Sequence, residues 1–159
     1  MSSAKFYEQQ ASGVASHLGV APVVGNNQRI LNMESHSSIA GMSLGSSNTV
    51  TTPTGTYKIT AKAPSFMGGN TRAIVWDFTN NVALISGRSQ WSGIPGQEGA
   101  KINVDSEVSD TITIPSTIQV GVMLYIGALY ASPFNVDNFG VPTGDGLQEL
   151  YTSLEFEQK

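Results

Sequence analysis

The chain has 159 residues and a net charge of −4, and only 13% of its residues are Asp, Glu, Lys or Arg. This length suits one domain that buries about two-thirds of its unfolded surface. The weak negative charge excludes the basic surface that attracts nucleic acid, and the low charge density excludes a charge-rich disordered chain. Because cysteine is absent, disulfides, thiolate zinc sites and thiol nucleophiles are also excluded, which is compatible with assembly in a reducing cytoplasm.

The N-terminal residues contain no apolar segment of the kind that a secretion signal needs, so we expect Met1 to begin the mature chain. The longest apolar run, residues 117–130, includes Gln119 and two glycines and is shorter than the ~20 residues of a membrane-spanning helix. We therefore predict a buried strand there and no membrane insertion.

Turn residues recur about every ten positions, which is typical of a β-sandwich or barrel, and no segment shows helical periodicity. The pattern predicts nine short strands, at 4–10, 28–34, 48–51, 56–63, 71–79, 81–87, 104–114, 117–128 and 148–157. Nine short strands favour an all-β, two-sheet antiparallel jelly roll. Since there is no internal repeat or linker, we predict one domain over residues 1–159, with a short N-terminal arm at 1–3.

The clearest predicted strand lies between Pro53 and Pro64. Apolar and polar residues alternate along it: Tyr57, Ile59, Ala61 and Ala63 fall on one parity, and Thr56, Lys58, Thr60 and Lys62 on the other. This period of two predicts a half-buried, central strand that ends at the second proline.

Two further patterns concern turns and core residues. Residues 68–70 and 80–81 supply Gly and Asn, which tolerate positive φ, and 114–116 contains a proline without a backbone donor, so we predict tight hairpin connections at all three. In the strand at 71–79, Trp76 and Phe78 share parity with Ile74, which predicts that they lie in the core.

The strand at 117–128 is apolar on both of its faces. One parity holds valine, leucine and isoleucine, whereas the other holds Met123, Tyr125 and, just beyond the strand, Leu129. The outer face of an antiparallel sandwich is normally solvated, so something should cover this one. Two alternatives are a subunit contact through these three residues and a long loop folded over them.

Two long loops, 89–101 and 131–147, are rich in glycine and proline and carry aromatic residues. Such loops commonly carry the function of a sandwich. We therefore predict partner contacts by Trp91 in the first loop and by Phe134 and Phe139 in the second. The alternative for the tryptophan is that it plugs one end of the sandwich.

No catalytic motif is present, so we predict no enzymatic activity, no catalytic residues and no cofactor. His17 and His36 lack acidic or histidine neighbours at metal-ligand spacing and are interpreted as solvated. Six Asp, Glu and Asn residues with oxygen atoms that could ligate calcium fit a solvated strand edge and a solvated loop, with calcium sites as the less favoured alternative. Those residues are Asp105, Glu107 and Asp110 in the strand, and Asp137, Asn138 and Asp145 in the loop.

Five segments, taken in order, resemble a known family. They are 7–13, 29–32, 53–57 with 63–64, 82–87 and 149–156. Together they resemble the tumour-necrosis-factor-like and complement-head-like jelly rolls of tailed-phage virion surface proteins, which include tail-fibre heads and capsid decoration proteins. The resemblance covers nearly the whole chain and implies a homotrimer, with one sheet of each protomer facing a threefold axis. It supplies no catalytic residues. Residues 65–70 depart from the fibre-head pattern, which puts a fibre-specific receptor contact in doubt.

The resemblance leaves two functional alternatives. Because the first predicted strand begins only a few residues after Met1, we expect no stalk, which favours a capsid decoration or cement protein. Such a protein would assemble in the host cytoplasm and bind the major capsid protein, or another virion protein, on the outer capsid surface. The alternative is a stand-alone receptor-binding protein whose loops recognise a host-surface glycan or protein.

Overall fold

The computed structural model describes residues 1–16, 22–66, 68–93, 103–128, 139 and 142–159. These residues form twelve β-strands. In chain order they are β1 (Ser3–Gln10), β2 (Gly25–Gln28), β3 (Met33–Ser37), β4 (Ser43–Leu44), β5 (Val50–Thr52), β6 (Gly55–Phe66), β7 (Asn70–Asp77), β8 (Val82–Ser86), β9 (Gln90–Trp91), β10 (Asn103–Ile114), β11 (Ile118–Ile126) and β12 (Glu149–Gln158). Within the described part of the chain, no helix has the length and apolar character needed to cross a bilayer.

The strands form two antiparallel sheets. Sheet A has five strands in the order β10-β6-β12-β1-β3. Sheet B has seven, along the path β4-β5-β11-β7-β8, with β2 beside β11 and β9 beside β7. This arrangement confirms the predicted all-β jelly-roll sandwich.

The core lies between the sheets and follows the period-2 alternation of the strands. Tyr57 and Ile59 of β6 are fully buried, as are Val122 and Leu124 of β11. The ring of Phe156 lies edge-on to those of Phe6 and Tyr57, with centroids 6.2 Å and 6.1 Å apart. Burying each large apolar side chain stabilises the fold by about 1.5–3 kcal/mol.

Strand β6 is central in sheet A, as predicted, because β10 and β12 pair with its two sides. It does not end at Pro64, however, but continues to Phe66. Pairing with β12 stops at Lys62, so the proline lies where one side of the strand is an open edge. A proline is tolerated there, since no ladder hydrogen bond to β12 is lost.

Of the three predicted hairpins, only the one at 80–81 is confirmed. It joins β7 to β8, with Asn81 at a φ of 56° and with the Asp77 carboxylate accepting the backbone N–H groups of Thr79 and Asn80. The prediction was wrong at 68–70 and 114–116, which carry the chain from one sheet to the other. Sequence turn signals do not distinguish a hairpin from such a crossing.

The strand predicted over 28–34 is split into β2 and β3, because the residues between them cross from sheet B to sheet A. The two-residue strands β4 and β9 were not predicted, since they are too short to show a period. Trp76 and Phe78 were wrongly predicted in the core. They are only half-buried, whereas the inner face of β7 holds Ala73 and Val75.

Candidate functional site on the outer face of sheet B

The register of β7 and β11 gathers several predicted site residues on the outer face of sheet B. Met123 pairs with Ile74, and Tyr125 pairs with Arg72. Directly paired residues of antiparallel strands project from the same face. The sequence shows apolar residues on both faces of β11. Because Ile74 lies beside Met123, the neighbouring strand β7 also has an apolar residue on its outer face.

The middle of this face is an apolar centre formed by Ile74, Trp76, Phe78 and Met123. Trp76 is flanked in register by two small residues, Gly121 of β11 and Ala83 of β8, which leave room for its indole ring. A Cβ atom at Gly121 would lie 2.7 Å from a ring carbon of Phe78, so that ring packs directly onto the glycine. Cover for this part of β11 thus comes from a side chain of the β7–β8 turn.

The apolar centre also holds an unpaired donor. Within the part of the chain that the structure describes, Nε1 of Trp76 is buried without a hydrogen-bond partner. A buried N–H without an acceptor is unfavourable, and a bound partner that supplied one would remove the penalty.

Beside the apolar centre, at the Asn70 end of β7, the face contains a polar cavity of about 520 Å³. Its principal lining residues are Asn26, Asn70, Arg72, Ile74, Ser89 and Tyr125. Tyr125 is 40% exposed. Nη2 of Arg72 donates to Oγ of Ser89 over 2.7 Å, which orients the guanidinium on this face.

Trp91 lies at the same end of the face, opposite Asn70 in the register of β7 and β9. Ser92 holds the short strand in place, because its N–H donates to the Gly69 carbonyl and its hydroxyl accepts the Gly68 N–H. The indole is 48% exposed. Trp91 is thus placed on the surface and does not plug the end of the sandwich.

The remaining predicted contact residues are not brought to this face. Leu129 and Phe134 lie outside the described residues. Phe139 is 3% exposed, and its ring lies 4.2 Å from the guanidinium carbon of Arg29. The structure therefore corrects the predicted exposure of Phe139, which packs inside the molecule.

A buried hydrogen-bond network around Phe139 connects several segments of the chain. This network was not predicted from the sequence. Nη2 of Arg29 donates to Ser16 Oγ (2.7 Å), to the Phe139 carbonyl (3.0 Å) and to Glu8 Oε2 (3.4 Å), while Nε donates to Thr152 Oγ1 (3.0 Å). Burial lowers the pKa of Arg29 to about 10, against the opposing effect of the Glu8 charge. The sequence contained one indication of this network, because Glu8 is a charged residue on the inward parity of β1.

A second carboxylate, that of Glu149, stabilises the same end of the sandwich through hydrogen bonds. Glu149 Oε1 accepts the backbone N–H groups of Gly13 (3.1 Å), Thr143 (2.9 Å) and Gly144 (2.8 Å). These hydrogen bonds, that of Gly144 foremost, lower the pKa of Glu149 below its ordinary value. Glu149 thereby joins the segment after β1 to the segment before β12.

Those of the other predicted polar residues that the structure describes make local contacts. Glu107 lies 3.3 Å from Lys62, Asp110 accepts the N–H of Thr111, and His36 contacts the Ser3 hydroxyl. His17, Asp137 and Asn138 lie outside the described residues. Within the described ranges, no three His, Asp or Glu side chains are grouped so that they could hold a metal ion.

Comparison with known proteins identifies the fold. No protein-family model matches the chain, and no curated protein sequence matches it. Among solved structures, the globular domain of the zebrafish complement 1qA protein matches with a TM-score of 0.57 at 9% identity, over 99% of this chain and 97% of that one. Murine APRIL at pH 8.0 and at pH 8.5 matches with TM-scores of 0.58 and 0.55 at 9% and 8% identity, over 99% of this chain and 98% of each.

These likenesses show a jelly-roll sandwich of the tumour-necrosis-factor-like and complement-head-like class, which confirms the fold that the sequence resemblance implied. At such low identity the agreement concerns the fold alone. Function must therefore be argued from the surface of this chain.

Proposed function

We propose that this chain is a non-catalytic, homotrimeric recognition domain on a virion surface, and that it contacts its partner through the outer face of sheet B. The observation that carries the proposal is the grouping of exposed Trp91 and Tyr125 with half-buried Trp76 and Met123 on one face. Clustered exposed aromatic residues are typical of protein and ligand contact sites.

The two sheets differ in how their outer faces satisfy their polar groups. On sheet A, hydroxyl groups pair across the strands, as Thr60 does with Ser109 at 2.8 Å, and Lys5 pairs with Glu155 at 2.8 Å. On sheet B, the side-chain amides of Asn26 and Asn70 have no hydrogen-bond partner among the described residues. Burying such groups without partners is unfavourable.

This difference supports different roles for the two sheets, with trimer contact by sheet A and recognition by sheet B. If one sheet faces a threefold axis, as the sequence resemblance implies, sheet A is better suited, because ion pairs and hydroxyl pairs bridge its strands whereas sheet B carries the exposed aromatic residues. Met123 and Tyr125, predicted from sequence to form a subunit contact, are then reassigned to the recognition surface of sheet B.

Two measurements test the proposal. Sedimentation of the chain at micromolar concentration should give a trimer, and a 16.8 kDa monomer would contradict it. The labelled protein should adsorb to host bacterial cells, and Trp91→Ala should reduce that adsorption without altering the trimer. Ser116→Ala, in the exposed segment that crosses from β10 to β11, is the control variant and should adsorb normally.

A second candidate function is capsid decoration, and the apolar centre favours it. An apolar surface with a buried, unpaired indole N–H suits a protein partner such as the major capsid protein. In that role the face would be covered in the assembled particle. Oxidative footprinting of Trp76 and Trp91 on purified virions and on free trimer distinguishes the two, because decoration through this face predicts protection in the virion and host recognition predicts exposure.

A further inference from the structure

We propose that the polar cavity of sheet B binds an acidic saccharide, that is, a sugar that carries a carboxylate. The inference rests on the proposed recognition function and deepens it, because it assigns a ligand to one end of the same face. The volume of about 520 Å³ lies within the range of small-molecule sites, about 300–1,000 Å³.

The cavity has an aromatic wall on one side and an aromatic residue at its border. Tyr125 of β11 lines it, and Trp91 of β9 lies beside Asn70 across the intervening strand β7. The two aromatic residues are thus separated by two strand spacings across the sheet, about 10 Å, and by two residues along it, about 7 Å. Exposed Tyr and Trp rings pair an apolar face with a polar atom, which matches the apolar C–H faces and hydroxyl edges of a sugar ring.

Hydrogen-bonding groups for sugar hydroxyls lie on both sides of Tyr125. Asn26 of β2 is paired in register with Tyr125 on the side away from β7, and Asn70 begins β7, on the side of Trp91. Each amide offers two donors and one acceptor oxygen, and neither side chain has a partner among the described residues. A saccharide would satisfy both groups at once.

Arg72 specifies the acidic character of the ligand. One of its N–H groups donates to Ser89, which leaves other donors of the guanidinium fork available. Lys5, Arg29, Lys58, Lys62 and Lys159 each form an ion pair, whereas no described carboxylate pairs with Arg72. An unpaired guanidinium in a chain of net charge −4 suits a planar carboxylate, which it can bind through two parallel hydrogen bonds.

The test compares an acidic and a neutral trisaccharide. Trigalacturonic acid and maltotriose are titrated separately into the trimer and followed by calorimetry and by tryptophan fluorescence. We expect binding of trigalacturonic acid that weakens at high salt, because the carboxylate–guanidinium attraction is screened, and much weaker binding of maltotriose. No binding of the acidic sugar at millimolar concentration, or equal binding of both sugars, would overturn the assignment.

Matched variants locate the site. Arg72→Gln should weaken trigalacturonic acid binding about tenfold, and Tyr125→Ala should weaken it while Tyr125→Phe retains most of it through the ring. Lys159→Gln removes the same charge from the exposed C-terminal residue, beyond the end of β12, and should leave affinity unchanged. Equal losses in Arg72→Gln and Lys159→Gln would show a non-specific charge effect and overturn the site.

The outcomes separate this inference from the proposed function. A trimer that adsorbs to cells but binds no acidic sugar overturns the ligand assignment alone. A monomer that binds trigalacturonic acid through Arg72 overturns the trimeric assembly and supports the ligand assignment.

Discussion

At the scale of single residues, two buried carboxylates define how one end of the sandwich is held. Glu8 is fully buried and Arg29 is 1% exposed, and the guanidinium reaches Ser16, Phe139 and Thr152 as well. The parity of Ala4 and Phe6 marks Glu8 as inward-facing in the sequence. Its partner could not be assigned in that way, because Arg29 lies outside any strand.

Breaking the Glu8–Arg29 pair should be strongly destabilising. Glu8→Leu leaves a buried, uncompensated guanidinium, and we expect a loss of about 3–5 kcal/mol in the free energy of unfolding. The double variant Glu8→Leu/Arg29→Met should recover part of this loss, because it removes both charges. Urea unfolding measures both. Lys5→Ala, from an exposed pair with Glu155, is the control and should cost at most about 1 kcal/mol.

Glu149 predicts a dependence of stability on pH. Its folded-state pKa is lowered below the ordinary value of 4.5 by three backbone hydrogen bonds, so its contribution is complete above that value and is lost as the pH falls through the folded pKa. Acid should therefore release Gly13 and Gly144, which amide NMR shifts would report. Glu149→Gln should flatten the fall in melting temperature below pH 4.5, whereas Glu34→Gln, at an exposed carboxylate of β3, should not. Identical pH profiles for Glu149→Gln and the unaltered chain would contradict this role.

At the scale of elements, strands β7 and β11 show why side-chain period alone did not locate the core. Both faces of β11 are apolar, and β7 has apolar residues on both parities. The larger side chains, Trp76 of β7 and Phe78 just after it, lie on the outer side, while Ala73 and Val75 of β7 face the core. Hydrophobicity therefore favoured the wrong face of β7, whereas the packing of the two sheets decided the orientation.

Gly121 offers a test of how the outer face of sheet B is packed. A Cβ there would meet the Phe78 ring at 2.7 Å and the Asn48 carbonyl at 3.2 Å. We expect Gly121→Ala to lower the free energy of unfolding by about 1–3 kcal/mol through overpacking. Phe78→Ala/Gly121→Ala should show a positive coupling, because removal of the ring relieves the closer contact. Strict additivity in denaturant unfolding would contradict the contact.

At the scale of the whole molecule, the jelly roll presents two chemically different outer surfaces. Sheet A carries cross-strand ion pairs and paired hydroxyls, and sheet B carries the apolar centre and the polar cavity. This asymmetry supports one inward and one outward sheet in a trimer.

The proposed assembly predicts opposite effects of two charge insertions. Thr60 lies at the middle of sheet A, paired with both Ser109 and Glu155, so Thr60→Arg should dissociate the trimer at micromolar concentration. Met123→Arg, on sheet B, should leave the trimer intact and reduce partner binding. Light scattering measures the oligomeric mass of each variant. Dissociation by Met123→Arg alone would show that the subunit contact lies on sheet B.

The sequence by itself determined the fold class, most of the strands and the central position of β6, because alternation and turn residues are local properties of the chain. It also singled out Tyr125 and Trp91, but as members of two unrelated features. Only the tertiary structure placed them on one face, since sheet register joins residues far apart in the chain. Burial of Glu8 with Arg29 and of Phe139 beneath it was likewise decided by packing, because the energy of a buried charge depends on neighbours that no local pattern reveals.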